Sequence, residues 1–404
     1  MLPTPAHAPA RPPAPADDLP VAADRLSVRV HASLGAAEAD WRAVEATAVL
    51  TPYQRYDWIA ALLASGLETA TRLAIAVIHD RGVPAGILPL KLERHFGCTT
   101  ARFIGTENGN SDWLAATPAV LQLLTPERLT ALLAEIAALA GGIDLFAIFN
   151  QPAEWQGNVN PLLALSRLPA PNNLYFVAIK PTRLPYVDHL LPTRHSGKIR
   201  RSARRLEETF GELELRRANT PDELQRQHDT FLAQRAARFA EMGIHNVFGD
   251  AAFVRFFRLL AQQSFGEARP ALVFHALYAG DTIVATSCGT AVGNHHSHYI
   301  NSIASGEAAR FSLIGVLLAR LFDELVGDGI TSLDMGTGDF AYKTEWTAPV
   351  PLFHSLLATT TRGRLVRQLI AIGSSGKRFI KQNPTLWKWA QAARRLLYRL
   401  RHGG

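Results

Sequence analysis

Short runs of the chain alternate apolar and polar residues, while longer runs repeat apolar positions every three to four residues, so strand and helix periods interleave throughout. Residues 26–30 read as a first strand and 34–48 as a helix containing Trp41. Thr51-Pro52 then starts a helix, Thr as N-cap and Pro at the first helical position, running through Trp58, Ile59, Leu62 and Leu63. The run RLAIAVIH (72–79) is a strand, Asp80-Arg81-Gly82 a turn, and 83–92 the returning strand. A strand at 101–104, a loop at 105–113, an apolar helix at 126–140 and a buried strand at 143–149 follow.

Prolines and asparagines between 152 and 171 mark a join, and a strand at 175–179 either ends the first half or bridges to the second. A helix from Ser196 carries Lys198, Arg200, Arg201, Arg204 and Arg205, and 212–217 is a strand. Thr220-Pro221-Asp222-Glu223 opens a capped helix whose polar continuation reaches Phe239. A three-strand meander occupies 271–302, with turns at Ala279-Gly280-Asp281 and Gly293-Asn294. The helix from Phe311 sets Ile314, Leu317, Leu318, Leu321 and Leu325 on one face; 330–335 is a short strand and 352–359 the last one. RLAIAVIHDRGVPAGILPL in the first half and VFHALYAGDTIVATSCGT in the second share pattern rather than identity, which predicts a duplicated α/β unit.

Length and composition fit this picture. The 404 residues, 48% hydrophobic and 19% charged, suffice for two or three domains with a sizeable core. Cys98 and Cys288 cannot build a disulfide framework and fit no metal spacing, which suits a reducing cytoplasm. Residues 1–25 are Pro/Ala-rich, lack a signal-peptide run and read as a disordered leader. The most apolar region, 129–149, is interrupted by Glu135, Gly141-Gly142 and Asp144, so no membrane span is predicted.

The net charge of +7 conceals an asymmetry. Residues 362–404 hold 11 of the 42 Lys and Arg and no Asp or Glu, which leaves 31 basic against 35 acidic residues elsewhere. The tail alternates these cations with Leu365, Leu369, Ile370, Phe379, Ile380, Trp387, Trp389, Leu396, Leu397 and Leu400, and Pro384 divides it. Such a basic amphipathic tail suits peripheral contact with a membrane; the competing role is a helix that covers part of the second domain. Nucleic acid is the lesser partner, for no nucleic-acid-binding motif accompanies the charge.

The chemistry-bearing stretch is 333–346, LDMGTGDFAYKTEW. Gly336 and Gly338 break the strand, and Asp339, Tyr342, Lys343 and Trp346 follow within eight residues. The same stretch reads equally as a solvated strand exit, with Asp339 capping the turn and Trp346 packing. On a strand His296 and His298 share a face while His295 points away, and no third ligand has suitable spacing, so no metal site is predicted. Arg200 and Arg201 offer either a solvated helix face or a phosphate or acidic-glycan contact.

The order of basic helix, meander, apolar helix and Asp-Met-Gly-x-Gly-Asp-x-x-Tyr-Lys-x-x-Trp (334–346) resembles the GNAT-fold acyltransferases of the CelD-like group, associated with cellulose and exopolysaccharide synthesis and distantly similar to the FemAB aminoacyltransferases. Thr51-Pro52-Tyr53-Gln54 to Trp58 and Gly86-Ile87-Leu88-Pro89-Leu90 share in the resemblance, which spans 26–359. It implies two GNAT-like units, mixed α/β sheets flanked by helices, at 26–180 and 181–361, with the basic helical tail at 362–404. It implies transfer from acetyl-CoA or another acyl-CoA to an amine or hydroxyl of a small-molecule or glycan acceptor, without a metal. Arg310, Phe311, Ser312 and Gly315, at the start of the apolar helix, are then the donor-binding candidates, since helix N-termini hold phosphate. Tyr342 becomes the proton donor to the leaving thiolate, Asp339 the proton acceptor and Lys343 the oxyanion partner; Arg200, Arg201 and Trp346 become acceptor contacts. Leu313-Ile314-Gly315 stands where the group commonly has Pro-Gly, which keeps two alternatives open: aminoacyl transfer from charged tRNA, and a non-catalytic scaffold in a membrane-bound complex.

Overall fold

Two hairpin-rich halves build one sheet. The computed structural model describes residues 25–70, 72–95, 97–383, 385–390 and 392. Apart from Arg25, the predicted leader lies outside them, as do Pro384 and the tail positions Leu396, Leu397 and Leu400. The first half runs β1 (Leu26–His31), α1 (Leu34–Glu45), α2 (Tyr56–Ser65), β2 (Leu73–Asp80), β3 (Val83–His95) and β4 (Cys98–Phe103). It continues with β5 (Ala115–Ala116), α3 (Pro118–Leu123), α4 (Pro126–Leu139) and β6 (Leu145–Pro152). A small ribbon, β7 (Glu154–Trp155) with β8 (Asn158–Val159), then leads through α5 (Leu162–Leu165) to β9 (Leu168–Ala178). The second half runs α6 (Val187–Leu190), α7 (Thr193–Phe210), β10 (Leu213–Arg217), α8 (Pro221–Met242), α9 (Ala251–Gln263), β11 (Val273–Ala279), β12 (Thr282–Val292) and β13 (His295–Ile303). It closes with α10 (Leu313–Gly327), β14 (Ser332–Thr337), α11 (Ala341–Trp346), β15 (Ala348–Ala358) and α12 (Thr361–Gln382).

The sheet order is β1-β2-β3-β4-β6-β15-β9-β14-β13-β12-β11-β10, with β5 added beside β3. Among the described residues only β4–β6 and β13–β14 pair in parallel, so the pairing pattern reads the same from either edge. This is the duplicated mixed α/β unit expected from the sequence, fused edge to edge. The fusion is an exchange: β9 precedes the second half yet pairs with β14, while β15, near the end of the second half, pairs with β6 of the first. The middle of the sheet is β15 against β9.

Local signals place most elements. Arg81 (φ 52°) and Gly82 (φ 82°) take the left-handed turn joining β2 to β3. Thr125 and Thr220 cap α4 and α8 by accepting from the Arg128 and Glu223 amides. Thr51 does not cap: its hydroxyl donates to the Ser111 carbonyl at 3.0 Å, and a single 3-10 turn precedes α2. Helix α9 was not expected, although Phe253, Phe256, Phe257 and Leu260 have helical spacing and three of them are fully buried. Strands β9 and β15 begin earlier than predicted. Pro169, Pro171, Pro349 and Pro351 suggest linkers, but Pro169, Pro171 and Pro351 lie at the β15–β9 register shift, while Pro349 is paired in register with Tyr175.

One core cluster binds the halves to each other. Trp41, Trp58, Ile59 and Leu62 from α1 and α2 share it with Phe231, Phe256, Phe257 and Phe274. Each such phenylalanine contributes roughly 1.5–3 kcal/mol on burial, so the interface resists separation. Helix α12 docks on β9 and β15 in the middle of the sheet and on β4 and β6 of the first half, so of the second domain it covers β15. No helix among the described residues is long and apolar enough to cross a membrane.

Candidate active site

Strands β13 and β14 pair over only three positions, His295–Ser332, His296–Leu333 and Ser297–Asp334. Beyond them β13 stays with β12 while β14 leans to β9, so two parallel strands part and leave a gap. The register shift at Cys288/Gly289 inserts an extra residue into β13. His298 and Asn301, which would otherwise point to opposite faces, therefore meet at 3.0 Å between Nε2 and Nδ2.

The end of β14 closes the gap from the other side. Gly336 holds φ 67°, and a Cβ there would lie 2.6 Å from Asn110 Nδ2, so no other residue fits this approach. The chain then turns into α11, a helix rather than the expected loop, which brings Tyr342 and Lys343 to the gap. Asn301 Nδ2 donates to the Tyr342 hydroxyl at 3.3 Å. Lys343 Nζ donates to the Thr337 carbonyl at 2.8 Å and lies 5.7 Å and 5.4 Å from the ring centroids of Tyr175 and Phe340. Tyr175 in turn donates its hydroxyl proton to Asp339 Oδ1 at 2.7 Å.

Arg235 of α8 completes the wall. Its guanidinium lies 4.7 Å and 5.0 Å from the centroids of Phe239 and Phe248 and donates to the Asn301 carbonyl at 3.4 Å. Its Nε has no hydrogen-bond partner, and among the described residues no carboxylate pairs with it.

Burial sets the charge states. It raises the Tyr342 phenol above its ordinary value, so the hydroxyl stays protonated. It lowers the Lys343 ammonium to about 8, against the pull of Asp334 and Asp339. Arg235 falls to about 10 through burial, and Tyr175 rises to about 12 through burial and its bond to Asp339. His298 drops to about 3 through burial, with Lys343 adding to the effect, and so stays neutral. Neutral His298 bonds to Ser287 through Nδ1 at 3.0 Å, which leaves Nε2 to accept from Asn301.

Behind the gap lies a second polar network. Fully buried Asp334 accepts from His295 Nε2 at 2.8 Å, Ser297 Oγ at 2.9 Å and the Gly336 amide at 2.7 Å. Ser297 Oγ meets the Tyr53 hydroxyl at 2.6 Å; Asn110 donates to that hydroxyl at 2.6 Å and accepts from the Thr337 amide at 3.2 Å. The first half thus holds the strand end that presents Tyr342 and Lys343. The other side of His295 faces a cleft of about 680 Å³ lined by Trp155, Leu174, Phe176, Ser332 and Val350.

Of the predicted residues, the structure gathers Asp339, Tyr342 and Lys343 at the gap. Arg310, Phe311, Ser312 and Gly315 stand together at the entry to α10, where first-turn amides have no intrahelical acceptor. Phe311 packs edge-on to Phe210, and Gly315 packs against Ile199, where a Cβ would come within 3.1 Å. Arg200 pairs with Asp188 on the exposed side of α7, beside exposed Arg201. Trp346 is buried and stacks on Phe322 at 5.5 Å, away from the gap. The three histidines divide: His295 serves Asp334, His298 serves Asn301, and His296 packs on Gly289. Asn301, Arg235, Asp334, Tyr53 and Asn110 were not anticipated. Their roles depend on a bulge and on contacts between residues far apart in the chain.

Residues 193–344 match the family model described as an acetyltransferase (GNAT) domain. No curated protein sequence matches the chain. Among solved structures, FemX is similar with a TM-score of 0.58 at 11% identity, over 85% of this chain and 100% of that one. The C-terminal domain of a putative lysylphosphatidylglycerol synthetase from Agrobacterium fabrum aligns with a TM-score of 0.49 at 9% identity, over 83% of this chain and 95% of that one. A tandem GNAT protein from the clavulanic acid biosynthesis pathway gives 0.41 at 13% identity, over 83% and 99%. The matched residues run from α7 into α11, so the gap lies within the part of the chain that resembles the GNAT acetyltransferase domain.

Proposed function

We propose that the β13–β14 gap transfers an acyl group from acyl-CoA to an amine or hydroxyl, with Tyr342 as the acid. One observation carries the reading: the Tyr342 hydroxyl accepts from Asn301, so its own proton is free to be given away. The acceptor nitrogen or oxygen attacks the thioester carbonyl, its proton passes to Asp339 directly or through water, and the C–S bond breaks as Tyr342 protonates the departing thiolate. Solvent then returns a proton to Tyr342 and takes one from Asp339. Lys343, charged below about pH 8, stabilises the oxyanion of the tetrahedral intermediate.

For the donor, the α10 entry has the chemistry a pyrophosphate needs. Its first turn contains no acidic residue, the Ile314 and Gly315 amides have no acceptor among the described residues, and Arg310 lies one residue before Phe311. Arg235, a cation without a carboxylate, adds positive potential beside Tyr342. The CelD-like resemblance suggests an acceptor among the sugar amines or hydroxyls used to build cell-surface polysaccharide.

Thermal-shift titration tests the reading. Acetyl-CoA at a hundred times its Kd stabilises the protein by about 2.7 kcal/mol, and the thiol is released when glucosamine-type acceptors are added. Stabilisation by charged tRNA alone replaces the donor with an aminoacyl ester. Stabilisation by neither leaves a scaffold and rejects the proposal.

A further inference from the structure

Helix α12 turns an apolar stripe away from the protein. Leu365, Leu369, Ile372 and Phe379 are 68%, 69%, 69% and 66% exposed. Their spacing of four, three and seven residues keeps them on one side of the helix. The other side is occupied, with Val366, Ile370 and Ala371 packed on Leu145, Ala147 and Leu356.

Both ends of the helix are fixed, so the stripe cannot roll inward. Thr360 accepts from the Gly363 amide at 3.1 Å and donates to Asp144 at 2.6 Å. Gly363 lies so close to the Asp144 carbonyl that a Cβ would fall 1.8 Å from its oxygen. Near the far end, Arg378 donates to the Ala170 carbonyl at 2.8 Å and Lys381 to Asn172.

Cations accompany the stripe. Arg362, Arg364, Arg367, Lys377 and Lys388 are exposed between 361 and 392, where there is no Asp or Glu, whereas Arg378 and Lys381 are turned to the protein. Trp389, 72% exposed, follows the helix. A rigid apolar ridge on a helix that also carries exposed Lys and Arg, with an exposed indole beyond it, matches the boundary between acyl chains and anionic headgroups.

We propose that α12 seats the protein on an anionic lipid surface. Charge complementarity selects this occupant. A second copy of the chain would bring the same cations against themselves, and nucleic acid would use the cations but leave the stripe in water.

Flotation of the full chain with vesicles tests the proposal. The protein floats with phosphatidylcholine vesicles containing roughly one third phosphatidylglycerol, and at least about fivefold less with phosphatidylcholine alone. Salt at about 0.5 M weakens the binding to the anionic vesicles by screening. The variant Leu365→Ser/Leu369→Ser/Ile372→Ser, altered only at exposed positions, keeps its Tm and loses roughly tenfold in vesicle binding. Equal flotation with both vesicle types, no flotation, or flotation unchanged in the variant overturns the proposal. A lipid-free dimer that the variant abolishes also overturns it and assigns the stripe to a second copy. None of these outcomes depends on acyl transfer.

Discussion

Asn301 and Tyr342 share one hydrogen bond, 3.3 Å from amide nitrogen to phenol oxygen, and its direction decides what the phenol can do. The amide has two N–H groups, and the other is given to neutral His298. The phenol receives from Asn301 and keeps its own proton for a ligand.

Replacing Tyr342 by Phe removes that proton and little else. Thiol release from acetyl-CoA is expected to fall roughly 10²-fold in kcat, with KM for acetyl-CoA nearly unchanged. Steady-state rates at fixed acceptor check this, and an unaltered kcat removes Tyr342 from the mechanism.

Lys343 predicts a dependence of stability on pH. Its folded value, about 8, lies below the ordinary 10.5, so the unfolded chain binds the extra proton between these limits. Below about pH 8 both states are charged and the folded state bears the whole cost of burial; stability recovers as pH rises towards 10.5. Lys343→Met should flatten this rise, which at the upper bound amounts to about 3 kcal/mol. Urea midpoints at pH 7.5 and pH 10 for both proteins measure it, and parallel slopes would contradict the assignment.

Arg235 separates stability from activity. No ion pair breaks when it becomes Met, so the Tm should change by only a few degrees. Transfer should nonetheless fall about tenfold as the positive potential beside Tyr342 disappears. A variant that melts early yet turns over normally would make Arg235 a packing residue.

Gly336 and Asn110 should be coupled. Gly336→Ala places a methyl against the Asn110 amide at φ 67° and is expected to cost about 1–3 kcal/mol. In an Asn110→Ala background the contact part vanishes and the backbone part remains. A double-mutant cycle gives the difference, and strict additivity would show that the two do not touch in solution.

Most of the fold was legible because its hairpins, caps and apolar helices announce themselves locally. The β2–β3 turn is written in Arg81-Gly82, and the α8 start in Thr220-Pro221. The middle of the sheet was not, since Pro169, Pro171 and Pro351 are accommodated at a register shift that two distant strands create together. The site divides in the same way. Tyr342 and Lys343 follow directly from a strand end, but Asn301 reaches Tyr342 through a one-residue bulge, and Arg235 sits on a helix with little amphipathic pattern to show which side faces inward. Asp334 was visible in the motif without its role, because His295 and Ser297 reach it only once β13 lies beside β14.

The exchange of β9 and β15 also bears on how the chain is made. Strand β9 leaves the ribosome before either of its ladder partners, β14 and β15, exists. Until then the edge of β6 stays unpaired, ready to join another chain. A nascent chain stopped near residue 180 would be an incomplete sheet rather than a finished first half. Synthesis order and assembly order therefore run against each other here: one of the last strands made is the one that closes the first sheet begun.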